Sequence, residues 1–128
     1  VEKAAARLKN LTFLGPVSHE GVLDLISNSK IAALPSICNE TLSTFALEVF
    51  YLGKRCVVPA LDSTSWLASG NFPGHLARAG DPQDLARAIL EALAASKVSE
   101  NQCSALQKEL GFARFCRDLE ALVKDVEK

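Results

Sequence analysis

Methionine is missing from all 128 residues, and the chain opens on Val1. Removal of an initiator explains that opening. So does a piece of a longer polypeptide, which the element order below favours. Charge of one sign is not in excess: 14 Lys and Arg against 15 Asp and Glu give a formal net charge of -1. No basic face therefore argues for nucleic acid or an anionic membrane. No apolar run approaches the roughly 20 residues of a membrane-crossing helix, and no signal-peptide pattern is present at the start. Cys38, Cys56, Cys103 and Cys116 contain no C-x-x-C spacing, which removes the usual zinc signature. All four are expected as buried free thiols in a reducing cytoplasm, acting as small hydrophobes. No Asp-x-Asp motif occurs, so no essential metal is expected. Internal repeats, linkers and low-complexity stretches are also absent.

What remains is the composition of an ordinary globular domain, with 48% apolar and 23% charged residues, long enough for one real core. Val1–Lys9 is expected to be the end of a helix. Leu11 to Leu14 reads as a strand stopped by Gly15-Pro16. Ser18 suits an N-cap with Glu20 in the first turn, and Val22, Leu23 and Ile26 form one apolar helix face. Ile31 to Leu34 is a second strand, closed by Pro35. Phe45 to Leu52 is a second helix, capped by Ser43 or Thr44 and closed by Gly53. Lys54 and Arg55 are expected to cap that helix's C-terminus. A third strand runs from Arg55 to Val58, and Trp66-Leu67 begins a short helix. His75 to Arg78 is a short fourth strand. Asp81-Pro82-Gln83-Asp84 is a strong helix start, with Asp at the cap, Pro at the first position and an acid at the third. That helix is expected to reach about Ser96, with Leu85, Ile89 and Leu93 inward. Glu100–Leu110 and Ala113–Glu127 read as two more helices.

Strands alternating with helices predict βαβ units and an α/β fold: a short parallel sheet between helical layers, Rossmann-like and three-layered α/β/α. A doubly wound domain usually opens on a strand, whereas this chain opens on a helix. The expectation is a single domain over residues 1–128 that lacks an upstream βα unit, and perhaps a whole partner domain, of its parent.

The stretch from Asn39 to Glu48 carries the chemistry. It sets Glu40 and Glu48 eight positions apart across a strand–loop–helix joint. Ligands of open α/β sheets bind beyond the carboxyl ends of strands and over helix N-termini. Glu48 stands among Phe45, Ala46, Leu47, Val49 and Phe50, where a carboxylate needs donors to offset desolvation. Ligand hydroxyls would serve.

The residues from Phe13 to Glu20, then Leu34-Pro-Ser36, Glu40 to Glu48, Gly53 to Val58 and Gly80 to Ala86 stand in an order and spacing that resembles a known family. It is the C-terminal, donor-binding domain of the large retaining GT-B glycosyltransferases that use nucleotide sugars to transfer hexoses. The resemblance implies that Glu40 accepts hydrogen bonds from the donor sugar and is the catalytic-site acid. It implies that Glu48 binds the ribose hydroxyls. Backbone N–H groups of Thr41, Leu42, Ser43 and Thr44 would face the diphosphate or sugar, and Val17 and His19 would form the base-binding loop. The implied ligand is a nucleoside-diphosphate sugar, with no separate cofactor, and the implied partner is an N-terminal acceptor domain of the same parent enzyme. Without it the isolated chain is expected to be inactive.

Two departures stand out. Thr41, Leu42 and Ser43 occupy positions where the family often has glycines flanking an aromatic. The family's phosphate-binding basic residues come from an earlier segment that nothing here matches. Both fit a rival reading, a non-catalytic α/β interaction module that kept the fold. In that reading Glu48 is a structural carboxylate, Glu40 an exposed loop acid and His19 a solvated surface residue. Trp66 suits a packing anchor better than a stacking platform.

Overall fold

The computed structural model describes residues 7–39, 43–68 and 72–111, together with Lys3, Arg114 and Arg117. Within these, helix α1 (His19–Asn28) leads to strand β1 (Ile31–Ala33), helix α2 (Thr44–Tyr51) and strand β2 (Arg55–Pro59). A 3-10 turn (Ser65–Ala68), strand β3 (Gly74–Ala77), helix α3 (Pro82–Ala94) and helix α4 (Glu100–Leu110) follow.

The helix starts form where local chemistry provides acceptors for orphan N–H groups. The Ser18 hydroxyl accepts from the Gly21 N–H at 3.2 Å. Ser43 does the same for Ala46, and Asp81 for both Gln83 and Asp84. At α4, Ser99 and Gln102 make a reciprocal capping box. The expected Asp-Pro-x-Asp start of α3 is therefore found as read, with Pro82 as the first helical residue.

The three strands pair in parallel in the order β1-β2-β3. Ile31 stands opposite Arg55, and Val57 opposite His75. The central strand β2 is buried on both sides. Cys56 and Val58 join Ile26, Ala46, Val49, Phe50 and Leu67 in one cluster. Val57 turns the other way, to Ala77, Ala88 and Ala92 of β3 and α3. Helices thus cover both faces of the sheet, the expected three layers. Gly74 is required where β3 starts, because a Cβ there would meet the Leu67 carbonyl oxygen at 2.2 Å. Trp66 packs edge-on against Phe72, with ring centroids 5.0 Å apart, as a packing anchor would.

Several expectations need correction. Leu11 to Leu14 forms no strand: Leu11, Phe13 and Leu14 are about half exposed, and the Leu11 N–H turns back to the Leu8 carbonyl. A strand exists only through a ladder, and no described strand lies beside this one to offer it. Arg78 drops out of β3 because its N–H goes to the Asp84 carboxylate at 2.7 Å. α3 stops at Ala94, and Leu93 is 47% exposed. Leu85 and Ile89 pack inward as expected, while Ala88 and Ala92 are the fully buried residues of that face, since small side chains permit close approach to the sheet. Lys54 caps α2 through its backbone N–H, which donates to the Val49 carbonyl, but the side chains of Lys54 and Arg55 go elsewhere. Lys54 Nζ donates to the Ser29 carbonyl beyond α1, and the Arg55 guanidinium to the Ser96 carbonyl beyond α3. Cys56 is a buried free thiol and Cys103 a half-buried one, but Cys38 is exposed. Cys116, the helix expected over Ala113–Glu127 and most of that over Val1–Lys9 lie outside the described residues, although Lys3, Arg114 and Arg117 are helical. Among the described residues no helix is long and apolar enough to cross a membrane.

Candidate functional site

The carboxyl end of β1 runs into Leu34-Pro35-Ser36, where the Ser36 hydroxyl accepts from the Cys38 N–H at 3.3 Å. Glu40, Thr41 and Leu42, three of the expected site residues, lie outside the described residues. The chain is described again at Ser43, which is 2% exposed. Its hydroxyl is occupied by the Ala46 N–H and its carbonyl by the Leu47 N–H. Ser43 is thereby a cap, and any ligand contact there falls to backbone. The N–H groups of Thr44 and Phe45 make no hydrogen bond to a described residue. Together with the helix dipole they favour an anion at this end of α2.

Glu48 sits one turn further along α2. Val49 and Phe50 beside it are fully buried, whereas the Glu48 side chain keeps 32% exposure. It projects from the rim of the core. Its Oε1 lies 2.9 Å from His19 Nε2, and its Oε2 makes no bond to a described residue. His19 opens α1, immediately after the Ser18 cap, with its side chain 69% exposed. The preceding Val17 is partly exposed and lies against Gly21, where a Cβ would come within 2.7 Å of Val17 Cγ1. The structure therefore brings His19, at the start of α1, into contact with Glu48 in the middle of α2, with Val17 beside the start of α1. That contact spans 29 residues of sequence. The arrangement leaves one carboxylate oxygen free to accept hydroxyl hydrogen bonds, beside an imidazole that either donates or accepts according to tautomer.

The crevice expected beyond the carboxyl end of β1 is present, but neither Glu48 nor His19 lines it. A cavity of about 330 Å³ opens where the strands finish, between Leu34-Pro35-Ser36, Pro59 and the Arg78–Pro82 loop. Its walls are largely apolar. Arg78 stands at it, but Asp81 at 3.6 Å and Asp84 at 4.0 Å already balance its charge. The strand-ending prolines were the available signal, since carboxyl ends of parallel strands converge on such a crevice. Among the described residues no three or more His, Cys, Asp or Glu side chains gather as a metal site would require.

The family model for glycosyl transferases group 1 matches residues 1–95. The match takes in α1, β1, α2, β2, β3 and α3, and stops one residue beyond α3. The chain belongs to the glycosyl transferases group 1 family. Membership ties it to glycosyl transfer, and His19 and Glu48 both lie inside the matched span. α4 lies beyond it. No curated protein matches the chain.

Proposed function

We propose that this domain binds the nucleotide-sugar donor of a retaining hexosyltransferase, within a longer cytoplasmic GT-B enzyme. The observation that supports the reading is the 2.9 Å contact between His19 and Glu48, the two residues that the family resemblance assigns to the nucleotide. Glu48 would accept from the ribose hydroxyls through its free oxygen, with His19 fixing the carboxylate. The Val17–His19 loop would border the base, with Val17 acting through its backbone. The first-turn N–H groups of α2 would face the diphosphate, and Glu40 the sugar. An acceptor hydroxyl would displace the nucleoside diphosphate at the anomeric carbon. The domain's part would be positioning and stabilisation of the leaving diphosphate.

The test is NMR shift mapping with nucleoside diphosphates and their hexose conjugates. An affinity on the order of millimolar, about -4 kcal/mol, is expected, because half of a two-domain cleft buries little of a ligand. Glu48→Gln should weaken binding roughly tenfold or more, since hydrogen bonds to a charged acceptor contribute about 1.5–3 kcal/mol. Glu40→Gln should weaken only the sugar-bearing donor. If no nucleotide shifts residues 17–19 or 43–48, the donor reading fails. A Glu48→Gln variant that lowers stability and leaves binding intact would make the His19 contact merely structural.

A further inference from the structure

The amino end of the sheet, opposite to the candidate donor site, carries an unassigned basic groove of about 570 Å³. Its walls are the α1–β1 turn, the α2–β2 turn and the segment from the end of α3 towards α4. Four cations line it, Lys30, Lys54, Arg55 and Lys97, and no Asp or Glu does. In a chain whose charges otherwise nearly cancel, that separation is local and large. None of the four pairs with a described carboxylate, whereas Arg78 and Arg87 are paired with Asp81, Asp84 and Glu91. Lys54 and Arg55 are also half-buried. Their fixed partners are neutral carbonyls, of Ser29 at 3.0 Å and Ser96 at 3.0 Å. These bonds hold both head groups at the C-terminal ends of α1 and α3, whose dipoles offset part of the charge, but no described carboxylate neutralises it, and a partly desolvated charge calls for a counter-charge. Remaining donors on Lys54 Nζ and the Arg55 guanidinium are free to meet one.

The neighbourhood reports the same field. His75, opposite Val57 on β3, has its pKa held below the usual imidazole value, first by burial and then by the positive charge of Arg55. Glu91 acts on His75 in the opposite sense, but its carboxylate is bound to Arg87 at 2.7 Å. Ile31 and Leu93 give the groove an apolar floor beside the cations.

We propose that this groove binds a small, multiply charged oxyanion of the di- or polyphosphate class. A compact anion with several charges matches fixed cations a few side chains apart, and Arg55 offers the planar fork that recognises phosphate oxygens. The volume falls in the range of small-ligand sites, about 300–1,000 Å³. The site does not depend on the donor-site reading, since it uses the other end of every strand.

Inorganic pyrophosphate is the probe, titrated into the full chain at constant ionic strength with chloride as the control. Saturable amide shifts are expected at residues 29–31, 53–55 and 95–98. The double variant Lys30→Glu, Lys97→Glu changes two exposed side chains only and should fold as the parent does. It should weaken binding roughly tenfold or more, as expected when charge-assisted contacts become repulsive. Arg55→Lys, which keeps the charge and loses the fork, should weaken it less. Absence of saturable groove shifts up to about 10 mM, well above the millimolar affinity of a weak site, overturns the proposal. Shifts confined to residues 17–19 and 43–48 overturn it too, as does an affinity that charge reversal leaves unchanged. Binding to anionic phospholipid vesicles but not to pyrophosphate would assign the groove to a membrane surface and equally refute it.

Discussion

Burial gives residues of one type different chemistry here, and the thiols show it most directly. The sequence reading treated Cys38 and Cys56 alike, as small hydrophobes beside apolar strands. Cys56 is indeed fully buried in β2, and burial pushes its thiol up to about 12. Cys38 follows the exposed Ile37 in the loop after β1 and is open to solvent. Thiolate is the reactive form. A thiol reagent at mildly alkaline pH is thus expected to label Cys38 first in the native protein, and Cys56 only as the protein unfolds. Peptide mapping of timed samples distinguishes the two. Equal native labelling of Cys38 and Cys56 would contradict the burial of β2. The loop was legible as a loop; its exposure depends on how far Pro35 and Ser36 carry the chain from the sheet, which no local pattern encodes. His19 and Glu48 follow the same logic. Each was marked out separately, Glu48 by being acidic among apolar neighbours, but their pairing is a tertiary fact.

At the scale of the element, α3 shows what a sequence does encode. Its start was readable because capping is local: Asp81, Pro82 and Asp84 act within one turn. Its inward face was legible only in part. Leu85 and Ile89 pack against the core as their spacing suggests, yet Ala88 and Ala92 are the buried residues that meet Val57, and Leu93 is left half exposed. The deciding quantity is the distance between helix and sheet, set by side-chain size on both. The expected strand from Leu11 to Leu14 failed for a similar reason, because strands need neighbours and helices do not. The α3 start also yields a pH prediction. Asp84 accepts first from the Arg87 side chain and then from the Arg78 backbone N–H, and these bonds hold its carboxyl down to about 2. The folded pKa lies below the unfolded one, ordinarily about 3.9. Its contribution is therefore fully present above that value and is lost as pH falls through about 2. Asp84→Asn should flatten the acid limb of the stability curve between those limits. Asp81→Ala, which strips the cap from the Gln83 and Asp84 N–H groups, should cost about 1 kcal/mol at neutral pH. Urea titrations across pH measure both. An unchanged acid limb in the Asn variant would mean that the pair also persists in the unfolded chain.

Over the whole molecule, the parallel sheet gives two chemically different ends. One holds helix N-termini, the His19–Glu48 contact and an apolar cavity; the other holds cations that no described carboxylate pairs. Between them the core runs through β2 and the side chains that cover it on both faces. Fold class and the parallel sheet were legible because alternating strand and helix patterns leave few right-handed solutions. Which aromatics carry the stability was not. Phe50 and Phe13 both stand in apolar runs of sequence, yet Phe50 is fully buried against Cys56, Val58 and Leu67 while Phe13 is 50% exposed. Phe50 also meets Phe72, with ring centroids 5.8 Å apart. Phe50→Ala removes a buried ring, loses that contact and leaves a cavity, so it should cost about 3–5 kcal/mol. Phe13→Ala removes a ring already half in water and should fall near the roughly 0.5 kcal/mol spread of surface changes. Urea unfolding monitored by circular dichroism separates them, with similar transition slopes expected if unfolding stays two-state. Should Phe13→Ala cost as much as Phe50→Ala, the segment before α1 would belong to the core in solution. The strand read there from the sequence would then have found a partner.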